Sequence, residues 1–214
     1  MPGLTRRKTV KRSPVRDTRD RLVEVSAALL QRQGLTGTGI KQILAEAGAP
    51  YSSLYHHFPG GKDELAANAI SVSGARYQAL VEAVWDQEPD VLRAVAAVFE
   101  AAAQTLEATD FAVACPIATV ALEVANTNER LRHSTAEVFE SWIAAGAARF
   151  EVAGIATVDA RRLALTFISL LEGAFILSQS LKTAEPVHVA GATAVAATRS
   201  ALGSPGRTKT HPRS

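Results

Sequence analysis

The chain has 214 residues, 47% of them apolar with alanine foremost, and only nine prolines and fourteen glycines interrupt it; this favours an all-helical fold over a sheet. One cysteine excludes an intramolecular disulfide framework, no uncharged apolar run reaches the ~18 residues of a bilayer span, and no apolar segment follows the basic N-terminus, so a soluble, cytoplasmic protein is expected. The net charge of +2 conceals a division: residues 1–64 hold eleven Lys/Arg against six Asp/Glu, and residues 65–206 hold nine against fifteen.

Taken in chain order, residues 1–16 carry Arg6, Arg7, Lys8, Lys11, Arg12 and Arg16 without an acid and read as a disordered basic arm. Such an arm either solubilises the chain or contacts the backbone or minor groove of a nucleic acid. A first helix is expected over 17–33, starting at Asp17 or Thr18, with Leu22, Val25, Ala28, Leu29 and Leu30 as its apolar face and Gly34 as its stop. Next comes a compact pair. Ile40, Ile43, Leu44 and Ala47 recur at helical spacing over 39–47, and Gly48 ends that helix. Pro50 suits the start of a second helix over 51–58. That helix turns Leu54 and Phe58 inward and leaves Tyr51, Ser52, Ser53, Tyr55 and His56 free. A short helix, a glycine turn and a helix rich in small polar and aromatic residues is how a DNA major groove is read, although an ordinary helical hairpin has the same outline.

Pro59, Gly60 and Gly61 break the pair, and a long helix is predicted from Lys62 to residue 87, with Asp63 and Glu64 at the positive end of its dipole. Pro89 opens a fifth helix carrying Val91, Leu92, Val95, Val98, Phe99 and Ala102. ATDFAVACP is a connection, and 117–125 a short apolar helix. A seventh helix is expected over 128–152, an eighth over 158–182 and a ninth over 186–202, before a polar tail at 204–214. The expected organisation is a helix-turn-helix domain at 17–61 and a six-helix body at 62–203.

The run AGAPYSSLYHHFPGGKDEL, with its glycine turn, small polar residues, Leu-Tyr-x-His-Phe, break and Lys-x-x-Leu, resembles the recognition-helix signature of the TetR/AcrR family of bacterial transcriptional regulators. The doubled histidine, the PGGK break and the later CPIATVALE stretch resemble the branch of LmrA-like multidrug-resistance repressors. The motif resemblance covers about the first third of the chain; apart from CPIATVALE, the remainder is similar in layout. It implies an all-α, nine-helix architecture with a three-helix DNA-binding domain and a six-helix domain for ligand binding and dimerisation. It further implies DNA contacts at Lys41, at Tyr55 and His56, and at Lys62. Tyr51, Ser52 and Ser53 stand at the end of the second helix that normally enters the groove. Tyr51 occupies a position where that branch often has a basic residue, so the operator sequence does not carry over.

Other chemistry finds less support. His56 and His57 diverge by ~100° around a helix and have no ligand at i+4, so no metal or cofactor is expected. Cys115 precedes Pro116 in an apolar connection without a neighbouring base; an inert buried thiol is the ordinary reading and a redox sensor the sharper one. No GxSxG or carboxylate–histidine pattern suggests a hydrolase. In the body, Trp85 is an aromatic that could simply be core, and Phe99, Phe139, Trp142, Phe167, Leu171 and Phe175 are either core or cavity wall. Glu123 and Glu172 lie in apolar helical stretches, where a carboxylate needs a partner, the surface or a ligand. The resemblance places an effector among helices four to eight, and these residues, Trp85 aside, are its candidate lining.

The expected function is a ligand-responsive repressor. It would bind a double-stranded, pseudo-palindromic operator as a homodimer and be released by a hydrophobic small molecule, without a membrane partner. The dimer is expected through helices eight and nine, with Ala190, Gly191, Ala194 and Ala197 allowing close approach. A constitutive, ligand-blind DNA-binding dimer is the rival, and an enzyme a distant third.

Overall fold

The computed structural model describes residues 14–112 and 115–203; most of the basic arm and all of the C-terminal tail lie outside the described residues. Glycines, prolines and polar caps cut the described residues into nine helices and no strand. These are α1 (Pro14–Gln33), α2 (Ile40–Ala47), α3 (Tyr51–His57), α4 (Gly61–Trp85), α5 (Val91–Ala108), α6 (Ala118–Val124), α7 (Glu129–Val152), α8 (Thr157–Leu181) and α9 (Glu185–Leu202). The first helix starts three residues earlier than expected, because Pro14 needs no hydrogen-bond partner at a helix start. Asp90, rather than Pro89, caps α5 by accepting from the Arg93 amide at 2.9 Å, and Asn128 caps α7 through the Leu131 amide at 3.1 Å.

Two apolar cores share α1 and α4. The smaller holds Leu22, Leu29, Ile43, Leu44, Leu54, Phe58 and Leu65, so the first turns of α4 complete the three-helix head. The larger fills the body and takes Ala27 and Leu30 from α1 and Ala66, Ala69 and Ile70 from α4. The α1 face is therefore wider than its sequence suggests: Val23 and Ala27 are buried and Ala28 is exposed. An Arg76–Glu24 ion pair and an Arg19–Asn68 hydrogen bond of 2.7 Å fasten α4 along α1.

One expectation changes here. Ala190, Gly191 and Ala194 are buried inside their own protomer, where Gly191 packs against Phe99 of α5, so they are not free for a partner chain. Their small size serves the packing of α9 on α5 and α8. Helix α8 is long and apolar enough to cross a membrane by length and composition alone, but Glu172 interrupts its apolar stretch, so no uncharged run of bilayer length occurs in it, as expected. It packs against α7 and α9, and it carries Asp159, Arg161 and Arg162 near one end and Glu172 farther along.

Candidate nucleic-acid interface and ligand cavity

Gly48, at φ +59°, makes the left-handed turn that ends α2 and feeds Pro50 into α3. Leu54 and Phe58 are fully buried, which fixes the roll of α3 and turns its other side to solvent. That side presents Tyr51, Ser52, Tyr55 and His56, all exposed, with Ser53 half-buried; Lys41 of α2 is exposed as well. The Tyr51 and Tyr55 rings lie 5.8 Å apart, and the hydrogen bond to Tyr51 raises the Tyr55 phenol above its ordinary range. Burial, and then the neighbouring charges of His56 and Arg19, lower the pKa of His57, which suits a packing role beside Phe58.

Lys62 is placed differently from the other candidates. It is half-buried, and its Nζ donates to the Leu35 carbonyl at 2.9 Å, bracing the α1–α2 loop. Glu123 also turns to that loop, accepting from the Thr36 amide at 2.8 Å and the Thr36 hydroxyl at 2.9 Å. It does not line the body's cavity: its partner lies across the junction between head and body. Asn128 completes the junction by donating to Asp63 at 2.8 Å. Gly34 sits beneath Glu123 at φ +69°, and a Cβ there would land on the carboxylate.

The body encloses a cavity of about 70 Å³ between α4, α7 and α8, with Tyr77, Trp85, Trp142, Phe167, Leu171 and Glu172 among its walls. A second cavity of about 190 Å³ lies between α4 and α5, and Tyr77 and Val81 line both. Of the candidate lining, Trp142, Phe167, Leu171 and Glu172 meet at the first cavity, while Phe175 lines the second. Phe99 and Phe139 stand behind the wall, as edge-on partners of Phe167 at 4.8 Å and Trp142 at 5.5 Å. The candidate lining included no residue of the α4 wall, although Tyr77, Val81 and Trp85 recur every four residues and so share one face.

Burial pushes the Glu172 carboxyl up to about 7, against a lesser opposing influence from the Cys115 thiol beside it. Burial likewise raises the Cys115 thiol and the Tyr77 phenol well above their ordinary ranges. The Cys115 sulfur accepts from the Ile117 and Ala118 amides at 3.4 Å each. A buried thiol that resists ionisation is a poor nucleophile, which favours the inert reading over redox sensing. At the cavity mouth Arg149 pairs with Glu82 at 3.3 Å and Asp86 at 3.2 Å. Among the described residues, no cluster of three His, Cys, Asp or Glu could hold a metal.

This architecture has named counterparts. The signature of bacterial regulatory proteins of the tetR family matches residues 22–69, and that of the LmrA/YxaF-like transcriptional regulator C-terminal domain matches residues 91–193. The HTH-type transcriptional regulator YxaF of Bacillus subtilis (strain 168), itself called uncharacterized, is 33% identical over 171 residues, covering 80% of this chain and 90% of the relative. The chain therefore belongs to the TetR family of bacterial DNA-binding transcriptional regulators, which are not enzymes. Its branch is the LmrA/YxaF-like one. The HTH-type transcriptional regulator LmrA of the same organism is 27% identical over 171 residues, covering 80% of this chain and 91% of LmrA. Among solved structures, a TetR transcriptional regulator from Chloroflexus aurantiacus J-10-FL is similar with a TM-score of 0.69 at 27% identity, over 85% of this chain and 94% of that one. The regulatory protein TetR from Rhodobacter sphaeroides, with a TM-score of 0.73 at 20% identity over 84% and 98%, shares the fold.

Proposed function

We propose that this cytoplasmic regulator represses transcription by binding a pseudo-palindromic operator as a homodimer, and that a hydrophobic small molecule in the body releases it. The observation that carries this reading is the double membership of α4. Its first turns belong to the core of the head through Leu65, and its last turns wall the cavities through Tyr77, Val81 and Trp85. A ligand that wedges between α4 and α8 therefore pushes on a rod whose other end sets the pose of α3. Cavities of about 70 and 190 Å³ fall short of the ~300–1,000 Å³ of a drug-sized site, so a ligand of that size enters only as Tyr77 or α4 moves. The ligand acts only through its different affinity for the two states.

On the DNA side, Tyr51, Ser52, Ser53, Tyr55 and His56 form the reading face and Lys41 flanks it. Lys62 acts chiefly as a brace, with donors left over for a phosphate. Because the small residues of α9 face inward, the dimer rests on the outer faces of α8 and α9, where Leu165, Ile176, Leu177 and Val189 are exposed. The small volume of the cavities also favours the rival of a ligand-blind dimer, and one experiment separates the two. Duplexes selected from a randomised pool should converge on a two-half-site sequence, and Tyr55→Ala should bind it about tenfold or more weakly with unchanged helical content. Hydrophobic compounds that raise the melting temperature should then release that duplex. Operator binding with no stabilising compound in a broad panel leaves the ligand-blind dimer; a single-half-site consensus with a monomer in light scattering removes the dimer.

A further inference from the structure

We propose that the cavity between α4, α7 and α8 takes a lipophilic organic cation, an aromatic ring system bearing a protonated amine, with Glu172 as its counter-ion and Tyr77, Trp85, Trp142 and Phe167 as its walls. The inference rests on this cavity being the effector site proposed above and names the class of compound it selects. Glu172 lies among apolar and aromatic groups, and no cationic side chain pairs with it among the described residues. The cationic side chain in the same lining, Arg149, is already engaged by Glu82 and Asp86, so it does not neutralise Glu172. With Glu82 and Asp86 against a single arginine, the mouth is itself biased toward cations.

An anion entering this space meets carboxylates, and a neutral hydrocarbon leaves the buried acid uncompensated. A cation turns that desolvation cost into a pairing and rests against the electron-rich faces of two indoles, a phenol and a phenyl ring. The titratable groups that face Glu172 from other elements are Tyr77 on α4 and Cys115 before α6, and burial keeps both neutral. When empty, the cavity holds Glu172 protonated in part near neutral pH, because burial pushes it up to about 7. An arriving ammonium favours the carboxylate, and the displaced proton leaves to solvent.

The test is calorimetric titration of the intact protein at neutral pH with two probes of matched shape, 1-naphthylmethylammonium and 1-naphthalenemethanol. The wild type should bind the ammonium about tenfold or more tightly than the alcohol. Glu172→Gln, which keeps size and removes charge, should erase that preference, with the ammonium affinity falling about tenfold or more. Titrations in buffers of different ionisation enthalpy should show proton release with the ammonium and none with the alcohol, a readout that needs no variant. Equal affinities in the wild type, a preference that survives Glu172→Gln, or no proton release overturns the counter-ion role. The first of these leaves the cavity standing as a binding site for neutral ligands. If neither probe binds, the cavity itself is refuted as the ligand site, and the inference falls with it.

Discussion

The reading head and the body are both helical and both apolar inside, yet they are packed to different standards. In the head, Leu22, Leu29, Leu54 and Phe58 are fully buried among α1, α2 and α3, and a gap beside Ser26, Leu30 and Ile43 holds only about 10 Å³. In the body, cavities of about 70 and 190 Å³ flank Tyr77, and a carboxyl is buried beside a thiol without a countercharge. A head that presents side chains to base edges gains from a single rigid pose. A body that answers to a ligand needs spare volume and unsettled charge. The two are joined by α4 and by the contacts of Lys62, Asp63 and Glu123.

The largest effect is expected in the head. Phe58→Ala empties the centre of the smaller core and should cost about 3–5 kcal/mol. Both tryptophans, Trp85 and Trp142, lie in the body, so urea unfolding followed by circular dichroism should show an early transition that tryptophan fluorescence does not share. Coincident transitions would make head and body one cooperative unit.

The charge side of the contrast is next in size. The Glu172 carboxyl is raised in the folded state, so its contribution is fully present below the unfolded value of about 4.3 and is lost as pH rises through about 7. Between pH 5 and 8 the wild type should lose about 2–3 kcal/mol relative to Glu172→Gln, measured by urea unfolding of both at each pH. A difference that does not change with pH would mean that the buried carboxyl titrates normally.

Filling the space probes the volume side. Leu171→Trp should cost about 1–3 kcal/mol by overpacking while blocking the first cavity, leaving operator binding intact and abolishing release by ligand. Release at the wild-type ligand concentration would place the site elsewhere, for instance in the α4–α5 cavity. The smallest effect falls at the junction. Glu123→Ala removes two hydrogen bonds to Thr36 and should cost about 1 kcal/mol, but it should weaken the coupling between ligand and operator more than either affinity alone. Unchanged coupling in a four-state titration would leave α4 as the sole connection.

What the sequence made legible follows the same division. The head is held by local signals: Gly48, Pro50 and the Pro59-Gly60-Gly61 break bound α2 and α3 to within a residue of their expected ends. The body is held by pairings far apart in sequence. The Phe167–Leu171 stripe and Glu172 could be placed on one helix, but nothing along the chain shows that Tyr77, Val81 and Trp85 face them. Glu123 needed a partner, and that partner is Thr36, 87 residues away. The small residues of α9 signal close packing without saying whether the neighbour is α5 of the same chain or a second copy. The basic arm, visible as composition, lies largely outside the described residues.

The seating of Glu123 over Gly34 bears on how such regulators can be recombined. A chimaera that exchanges reading heads at residue 61 would keep α2 and α3 intact but separate Leu35 from Lys62 and Thr36 from Glu123. Any donor head with a side chain at position 34 would also drive the α6 carboxylate out of its seat. A graft that carries α6 and the start of α4 along with the head keeps these contacts within one parent. Such a graft should transfer operator choice with the response intact, whereas the shorter one should yield a DNA binder deaf to its ligand.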